Sequence, residues 1–374
     1  MVRINSLTQC IIHPISIVSD LFVHNFTLHV GLGQTKSISA IALNPFINNV
    51  IIAASHDKSL LQIDIQNNKL ITDPIQMESF INALCWQPKS HEHLEEGLHL
   101  IAACSDGSLV FFSQTRVGPI YSLRVKKTVQ AHEGSVTSIK WSFDGSNLAS
   151  VGEDGDVKVW TQTGHLKSTI GRFDSCVNCM DWNYECNSLV AAHDDILTIL
   201  PFQHQHQRDI VEWKVSQNDA RRGVILVVVW NNALDLILSG GEDCIYRVFD
   251  STGVCLFMSQ QLTHPITSAV WMLNGEGFAI GSYSTIHFCD KAGLWSNCYK
   301  IEGSSSVQDM HYEEESSKFI AGCCSGEIIS ADIIGKVVEW NGISVEHAEN
   351  DHLQLSFSKR SFSNDTLEVV SIPE

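Results

Sequence analysis

The stretch Ser138–Trp160, "SIKWSFDGSNLASVGEDGDVKVW", decides the fold because a second copy of it follows later in the chain. Val227–Phe249, "VVVWNNALDLILSGGEDCIYRVF", has the same order: an apolar strand ending in Trp, a turn, a second apolar strand, Gly-Glu-Asp, and a third strand closing on an aromatic residue. Trp141 and Trp230 are 89 residues apart, which is two units of a period in the low forties. Repeats of that length predict the four-stranded blades of a β-propeller.

Further copies occur at the same period. The equivalent positions are Leu43, Trp86, Trp141, Trp182, Trp230, Trp271 and Tyr312. Two of the intervals are longer, and they contain polar insertions near His91–His99 and around His204 and Arg221, which we expect to be surface loops. Each copy consists of short runs with an apolar period of two, and no sustained helical period is visible. The sequence therefore predicts an all-β chain of seven blades.

The repeats divide the chain into three parts. We expect residues 38–338 to form the propeller, after a divergent N-terminal segment of residues 1–37 and before a polar, weakly ordered tail of residues 339–374. In many propellers a strand from one terminus completes the sheet of the other terminus. We therefore predict that residues near Val2–Leu7 pair with the last blade around Ile328–Ile333 and close the ring.

Charge and cysteine usage exclude several classes of partner. The chain has 42 acidic and 24 basic side chains, a net charge of −18, so nucleic acid and anionic membrane surfaces would be repelled. Twelve cysteines are scattered singly apart from Cys323 and Cys324, which is no disulfide framework. The longest strongly apolar run, Gly223–Trp230, is too short to cross a bilayer, and the start lacks a clear secretory signal. These features predict a soluble protein of a reducing compartment, without membrane insertion.

The third copy carries four side chains at positions typical of one repeat family: His132, Ser150, Asp154 and Trp160. In these positions the chain resembles the WD-repeat family, and the resemblance implies a seven-bladed WD40 β-propeller. In that family the four groups form a hydrogen-bonded chain from the turn Asp through His to Ser and the Trp ring nitrogen. Asp106 takes the turn position in the second copy. The resemblance assigns all of these residues a structural role.

The fifth copy departs from this pattern. Asp243 follows Ser239 at the family spacing, but Phe249 replaces the closing Trp and has no N–H group to donate. Asp219 rather than His lies near the His position, so the full hydrogen-bonded chain cannot close. We interpret Asp243 as a turn residue that accepts backbone N–H groups, rather than as a catalytic carboxylate, and we expect Glu242 to face solvent.

The remaining candidates for chemistry are weak. Cys176 and Cys179 form a CxxC without a second CxxC or a spaced His pair, so a structural pair is favoured over zinc or redox work. His204-Gln-His206 and the stretch His91–Gly97 are interpreted as polar loops, and no phosphate loop, nucleophile elbow or HExxH is present. We predict no catalytic, cofactor-binding or metal-binding residues. An enzyme would need a titratable cluster facing the central channel, and the strand alternation places none.

A closer resemblance rests on four stretches. They are "VGEDGDVKVWTQTGHLKSTI" (Val151–Ile170), "DLILSGGEDCIYRVFDSTG" (Asp235–Gly253), "HPITSAVW" (His264–Trp271) and "CDKAG" (Cys289–Gly293). In order and separation they resemble the first propeller of the intraflagellar transport protein 80 family. Members of that family have two propellers followed by helical repeats. This chain is therefore expected to end before the second propeller, as a shortened gene model, a spliced form or a reduced subunit.

This resemblance implies a function. Members of the family are subunits of the intraflagellar transport B complex, so the expected role is a non-enzymatic protein-interaction scaffold in cilium assembly. The expected partners are other intraflagellar transport B subunits, and the expected location is the cilium, the ciliary base and the cytoplasm. The alternative is a WD40 adaptor of another assembly, such as a vesicle-coat subunit or a ubiquitin-ligase receptor. A propeller enzyme is the third hypothesis.

Overall fold

A computed structural model describes residues 16–29, 37–45, 47, 49–88, 99–117, 120–202, 210–215, 223–231, 233–272, 275–301, 305–313, 316–346 and 354–359. The described residues form seven β-sheets, which we number as blades 1 to 7 in chain order. Within these ranges, no helix has the length and apolar content needed to span a membrane. The prediction of an all-β propeller with seven blades is confirmed.

In blades 1 to 6 each sheet is antiparallel and its strands follow one another in sequence. Blade 1 contains β2 (Ile38–Leu43), β3 (Val50–Ser55), β4 (Ser59–Asp64), β5 (Lys69–Leu70) and β6 (Ile75–Gln76). Blade 2 contains β7 (Ile81–Trp86), β8 (His99–Cys104), β9 (Ser108–Val117) and β10 (Ile120–Gln130). Blade 3 contains β11 (Val136–Trp141), β12 (Asn147–Gly152), β13 (Asp156–Thr161) and β14 (Leu166–Arg172). Blade 4 contains β15 (Val177–Trp182), β16 (Ser188–His193), β17 (Ile196–Pro201) and β18 (Val211–Lys214).

Blades 5 and 6 have the same plan, whereas blade 7 takes its fourth strand from the N-terminal part of the chain. Blade 5 contains β19 (Ile225–Trp230), β20 (Leu236–Gly241), β21 (Arg247–Asp250) and β22 (Cys255–Met258). Blade 6 contains β23 (Ser268–Met272), β24 (Gly277–Ser282), β25 (Thr285–Asp290) and β26 (Trp295–Lys300). Blade 7 contains β27 (Val307–Glu313), β28 (Lys318–Cys323), β29 (Ile328–Glu346) and β1 (Ser16–His29). The remaining strand, β30 (Gln354–Lys359), pairs with β29.

The first strands of the blades form a closed inner ring. Each one packs against the first strand of the next blade, and β27 of blade 7 packs against β2 of blade 1. At that junction the backbone N–H of Ile41 donates to Asp309 Oδ2 at 3.0 Å. Hydroxyl groups near the start of three inner strands, those of Ser39, Thr137 and Thr267, donate to the first carbonyl of the next inner strand. Polar bonds therefore supplement apolar packing between blades.

The hydrophobic core is divided into layers between neighbouring blades. In one layer, Ala149 and Val159 of blade 3 are buried together with Met180 and Leu189 of blade 4. The second strands β3, β12, β16 and β24 are buried at every position, because a neighbouring blade covers each face. A single blade could not bury both of its faces, so the stability of each blade depends on its neighbours.

The two ends of the chain both contribute to the seventh sheet. In the seventh sheet the order is β1-β29-β28-β27, so an N-terminal strand lies next to β29. The segment predicted for this pairing, Val2–Leu7, lies outside the described residues, and its pairing stays a prediction. The chain divides into two compact units, Met1–Phe22 with Ile334–Glu374, and Val23–Ile333. The second unit contains blades 1 to 6 and, of blade 7, β27, β28, the first part of β29 up to Ile333 and the last part of β1 from Val23. Strands β29 and β30 extend into the region predicted as a polar tail.

Candidate functional site

Four side chains of blade 3 form one continuous chain of hydrogen bonds. Trp160 Nε1, on β13, donates to Ser150 Oγ on β12 at 2.8 Å. The same oxygen lies 2.7 Å from His132 Nε2, and His132 Nδ1 lies 2.8 Å from Asp154 Oδ1. The structure thus brings together the segment before β11, the strand β12, the β12–β13 turn and the strand β13. All four residues come from the repeat motif recognised in the sequence.

The β12–β13 turn places Asp154 for this role. Its Oδ1 also accepts the N–H of Asp156 at 3.1 Å, and its Oδ2 accepts the N–H of Glu133 at 3.0 Å. Gly155 follows with φ +77°, and a Cβ there would lie 2.1 Å from the carbonyl oxygen of Phe173. Glycine is therefore required at this position for both its backbone conformation and its lack of a side chain.

His132 is held neutral. Its side chain is buried, and burial lowers its pKa although the hydrogen bond and the negative charge of Asp154 act in the opposite direction. In the neutral tautomer, Nδ1–H donates to Asp154 and Nε2 accepts the Ser150 hydroxyl, whose oxygen then accepts the Trp160 N–H. For Asp154, burial would raise the pKa, but the donors His132 and Glu133 N–H outweigh it and the pKa is lowered.

Lys158 adds two ion pairs and a hydrogen bond to the turn. Its Nζ lies 3.3 Å from Asp154 Oδ2 and 3.1 Å from Asp156 Oδ2, and it donates to the carbonyl of Ala131 at 2.9 Å. Both oxygens of Asp154 are thus bonded to protein groups, as are the His132 nitrogens and the Ser150 hydroxyl. The arrangement therefore ties the strands of blade 3 together.

Blade 5 contains a modified version of this site. Asp243 lies in the β20–β21 turn, where its Oδ1 accepts the N–H of Ile245 at 3.1 Å. Its Oδ2 accepts a hydrogen bond from Arg247 Nη1 at 2.6 Å, in an ion pair that is largely buried. Arg247 follows Asp243 by four residues, as Lys158 follows Asp154. A cation therefore neutralises the turn Asp in both blades.

Ser239 of blade 5 differs from its counterpart in blade 3. Its side chain is 1% exposed, and its Oγ has no hydrogen-bond partner among the residues that the structure describes. A small cavity lined by Ser239, Asp243 and Arg247 lies beside it. Phe249 supplies no ring N–H, and Asp219 lies outside the described residues. The hydrogen-bonded chain of blade 3 is thus not reproduced within the described part of blade 5.

Asp106 of blade 2 lies in the turn between β8 and β9. It accepts the N–H of Ser108 at 3.0 Å and the hydroxyl of the same residue at 2.6 Å. Burial alone would raise the pKa of Asp106, but these hydrogen bonds prevail and the pKa is lowered. Asp106 therefore holds its own turn closed without a histidine.

A charged group on the innermost strands was missed by the sequence analysis. Lys140, Asp181 and Asp309 are half-buried on β11, β15 and β27. Burial alone would lower the pKa of Lys140, but the negative charges of Asp181 and Asp309 act in the opposite direction and the pKa is raised. The sequence contained one sign of this group, because Lys140 and Asp181 each directly precede the Trp that ends an inner strand.

The two inner carboxylates bond to neighbouring blades. Asp181 Oδ2 accepts the N–H of Trp230 in blade 5 at 2.8 Å, and Asp309 Oδ2 accepts the N–H of Ile41 in blade 1. Asp309 Oδ2 also lies 3.4 Å from His311 Nε2. Burial raises the pKa of Asp181 despite its attraction to Lys140. These contacts join inner strands of different blades, which is a structural role.

The other sequence candidates carry little chemistry. Burial raises the thiol pKa of both Cys176 and Cys179, so both remain protonated and unreactive. No group of three or more His, Cys, Asp or Glu side chains among the described residues is arranged to hold a metal ion. The loops containing His204, His206 and His91–Gly97 lie outside those residues.

Known proteins share both the repeat and the fold. Residues 123–161 match the model of the "WD domain, G-beta repeat" family. The chain is 33% identical over 289 residues to the intraflagellar transport protein 80 homologs of Mus musculus and Rattus norvegicus. These alignments cover 77% of this chain and 35% of each relative, so the chain spans about a third of the length of the curated relatives it matches.

A solved structure supports the fold alone. The crystal structure of Chaetomium thermophilum Raptor superimposes with a TM-score of 0.68 and 15% sequence identity, covering 84% of this chain and 30% of that one. The repeat match and the closed ring of blades agree with the motif residues described above. The chain is therefore a seven-bladed β-propeller that carries a WD repeat at residues 123–161 and is similar over 77% of its length to intraflagellar transport protein 80 homologs.

Proposed function

We propose that this chain is a non-enzymatic scaffold of the intraflagellar transport B complex and acts in cilium assembly. The observation that carries the proposal is the 33% identity, over 289 residues, to intraflagellar transport protein 80 homologs. Its partners are other subunits of that complex, and it resides in the cilium, at the ciliary base and in the cytoplasm. The net charge of −18 disfavours nucleic acid and anionic membranes as partners.

A structural role for the polar residues supports the non-enzymatic part of the proposal. The polar atoms of His132, Ser150 and Asp154 bond to other groups of the protein. The inner carboxylates of Asp181 and Asp309 accept backbone N–H groups of neighbouring blades. Side chains used in this way hold strands together, and the remaining role of the propeller is to present its turns and outer strands to other proteins.

The test is recovery of partners from ciliated cells. The tagged chain should recover several intraflagellar transport B subunits, and the same label should appear along the cilium and at its base. A tagged WD-repeat propeller from a cytosolic assembly serves as the control and should recover none of them. Recovery of vesicle-coat or ubiquitin-ligase subunits instead, with no transport subunit, would replace the proposal with the adaptor alternative.

A further inference from the structure

Exposed apolar side chains are concentrated at one end of blades 3 to 6. This end, which we call the turn face, is formed by the turns from the first to the second strand and from the third to the fourth strand of each blade. In blades 3 to 5 its large exposed apolar residues are Phe143, Leu166, Tyr184, Ile210, Leu234 and Val254. Leu294 adds one from blade 6.

The opposite end of the propeller differs. Among the described residues, the large exposed apolar side chains there are Phe80 and Tyr283, and those of Val125, Leu256 and Met258 lie on outer strands. Turns at the turn face also contact one another between blades, as when Asn231 Nδ2 donates to the carbonyl of Gly275 at 3.1 Å. The apolar residues are therefore distributed unevenly, and concentrated exposure of this kind marks interaction surfaces.

Phe143 and Tyr184 form the centre of this surface. Their ring centroids are 4.7 Å apart, yet the two residues remain 53% and 55% exposed. Each follows its blade Trp by two residues, a position occupied by Pro45 and Pro88 in blades 1 and 2. The turn is thus built without an aromatic residue in those blades, so folding alone does not account for the exposed pair.

An acidic residue directly follows the apolar residue in three successive blades. The pairs are Phe143-Asp144, Tyr184-Glu185 and Leu234-Asp235. Asp144 accepts hydrogen bonds from the hydroxyls of Ser142 and Ser146, which are neutral donors. Asp235 likewise accepts from Trp230 Nε1 and from the hydroxyl of Ser251. Because neutral donors leave the carboxylate charge in place, each of these three turns places a negative group beside an apolar one. Two lysines also lie at this face in blade 3, where they donate to neutral oxygens: Lys127 to the carbonyls of Thr163 and Gly164, and Lys167 to Asn147 Oδ1.

The chemistry of an occupant follows from this pairing of apolar and negative groups. Phosphate groups of nucleic acids or anionic lipids would be repelled by three carboxylates on successive blades. A polypeptide with apolar side chains beside Lys or Arg would bury the aromatic pair and place its cations near the carboxylates, with additional cation–π attraction to the rings. We propose that the turn face of blades 3 to 5 docks a basic segment of this kind from a protein partner.

This proposal rests on the scaffold function proposed above and names the surface that the scaffold uses. Two variants test it in the tagged full chain: Phe143→Ser with Tyr184→Ser, and Glu185→Lys. The matched control is Leu256→Ser with Met258→Ser. It removes two apolar side chains from an outer strand, and these are 56% and 60% exposed, as much as those of the turn-face pair. All three variants should keep the thermal midpoint of the wild type, because the altered side chains are exposed.

The readout is the amount of each transport B subunit recovered from ciliated cells. We expect both turn-face variants to lose at least one subunit by about tenfold or more, as for central aromatic anchors, while the control retains it. A zero-length carboxyl-to-amine cross-linker should then join Asp144 or Glu185 to a lysine of that subunit in the wild-type complex. Raising the salt concentration should weaken its recovery, since the contact is partly ionic.

The contrary outcomes are separable. Wild-type chain that recovers no transport B subunit refutes the proposed function. If both turn-face variants recover the subunits as well as the wild-type chain does, and the cross-links lie elsewhere, the docking surface is refuted and the proposed function stands. The purified chain is also tested for binding to phosphatidylserine vesicles and to a DNA duplex. If it binds either one, and the double variant Phe143→Ser, Tyr184→Ser abolishes that binding, the choice of a protein partner is overturned.

Discussion

Replacing Ser150 by alanine should destabilise the propeller far more than replacing Ser239, although both serines occupy the same position on the second strand of their blades. Ser150 and Ser239 are 0% and 1% exposed. The difference lies in their partners, because Ser150 Oγ bonds to both Trp160 and His132 whereas Ser239 Oγ has no partner among the described residues. The two substitutions therefore control for each other.

The expected magnitude follows from the groups that lose a partner. Ser150→Ala leaves Trp160 Nε1–H and His132 Nε2 buried without a hydrogen bond, at about 1–3 kcal/mol each, so the free energy of unfolding should fall by about 2–6 kcal/mol. Ser239→Ala removes a buried hydroxyl that already lacks a described partner. Its effect should stay within about 1 kcal/mol of zero, or be stabilising.

The free energy of unfolding of both variants is measured by urea unfolding followed by far-ultraviolet circular dichroism, from the midpoint and the slope of the transition. Trp160→Phe supplies a further check, because it gives blade 3 the closing residue of blade 5. In that background Ser150→Ala should cost about 1–3 kcal/mol less than in the wild type, since one of its two partners is already gone. Equal losses at Ser150 and Ser239, or additive effects of the two blade 3 changes, would refute the reasoning.

Three further predictions concern acidity, backbone conformation and thiol reactivity. Because burial lowers the pKa of His132, the unfolded chain takes up a proton below about pH 6.5 and the folded chain does so only at lower pH, so stability should fall from pH 7.5 to 5.5. His132→Gln should reduce that fall in the urea midpoint; an unchanged pH dependence would contradict the assignment. Gly155→Ala should lower the thermal midpoint more than Gly145→Ala, because φ is positive at both sites but the nearest atoms to a new Cβ are 2.1 Å and 3.4 Å away. Native protein treated with a maleimide should be modified at exposed Cys255 and not at buried Cys179, as read by peptide mass spectrometry; labelling of both at equal rates would contradict the burial.

Much of the blade architecture could be predicted from the sequence because its signals are local. The apolar period of two identifies strands, and the recurring Trp locates the ends of inner strands: β7, β11, β15 and β19 all end at Trp86, Trp141, Trp182 and Trp230. The site of blade 3 was predicted through family resemblance, since His132, Ser150, Asp154 and Trp160 stand at the motif spacing. The turn role of Asp243 needed only comparison with the copy 89 residues earlier.

Other features depended on which blades become neighbours. The contacts of Asp309 with Ile41, and of Asp181 with Trp230, join residues that are 268 and 49 positions apart. No local pattern encodes such distances, because they follow from closure of the ring.

The sequence by itself thus determined the repeat and the number of blades, and its resemblance to the WD-repeat family indicated the four side chains of the site in blade 3. Only the tertiary structure decided that Asp181 bonds to the backbone of Trp230 and that the exposed ring of Phe143 contacts the exposed ring of Tyr184. The physical reason is that strand pattern and turn chemistry act over a few residues. The environment of a side chain between blades depends on the packing of segments 40 or more residues apart, as in the bond from Trp182 Nε1 to the carbonyl of Lys140, 42 positions away.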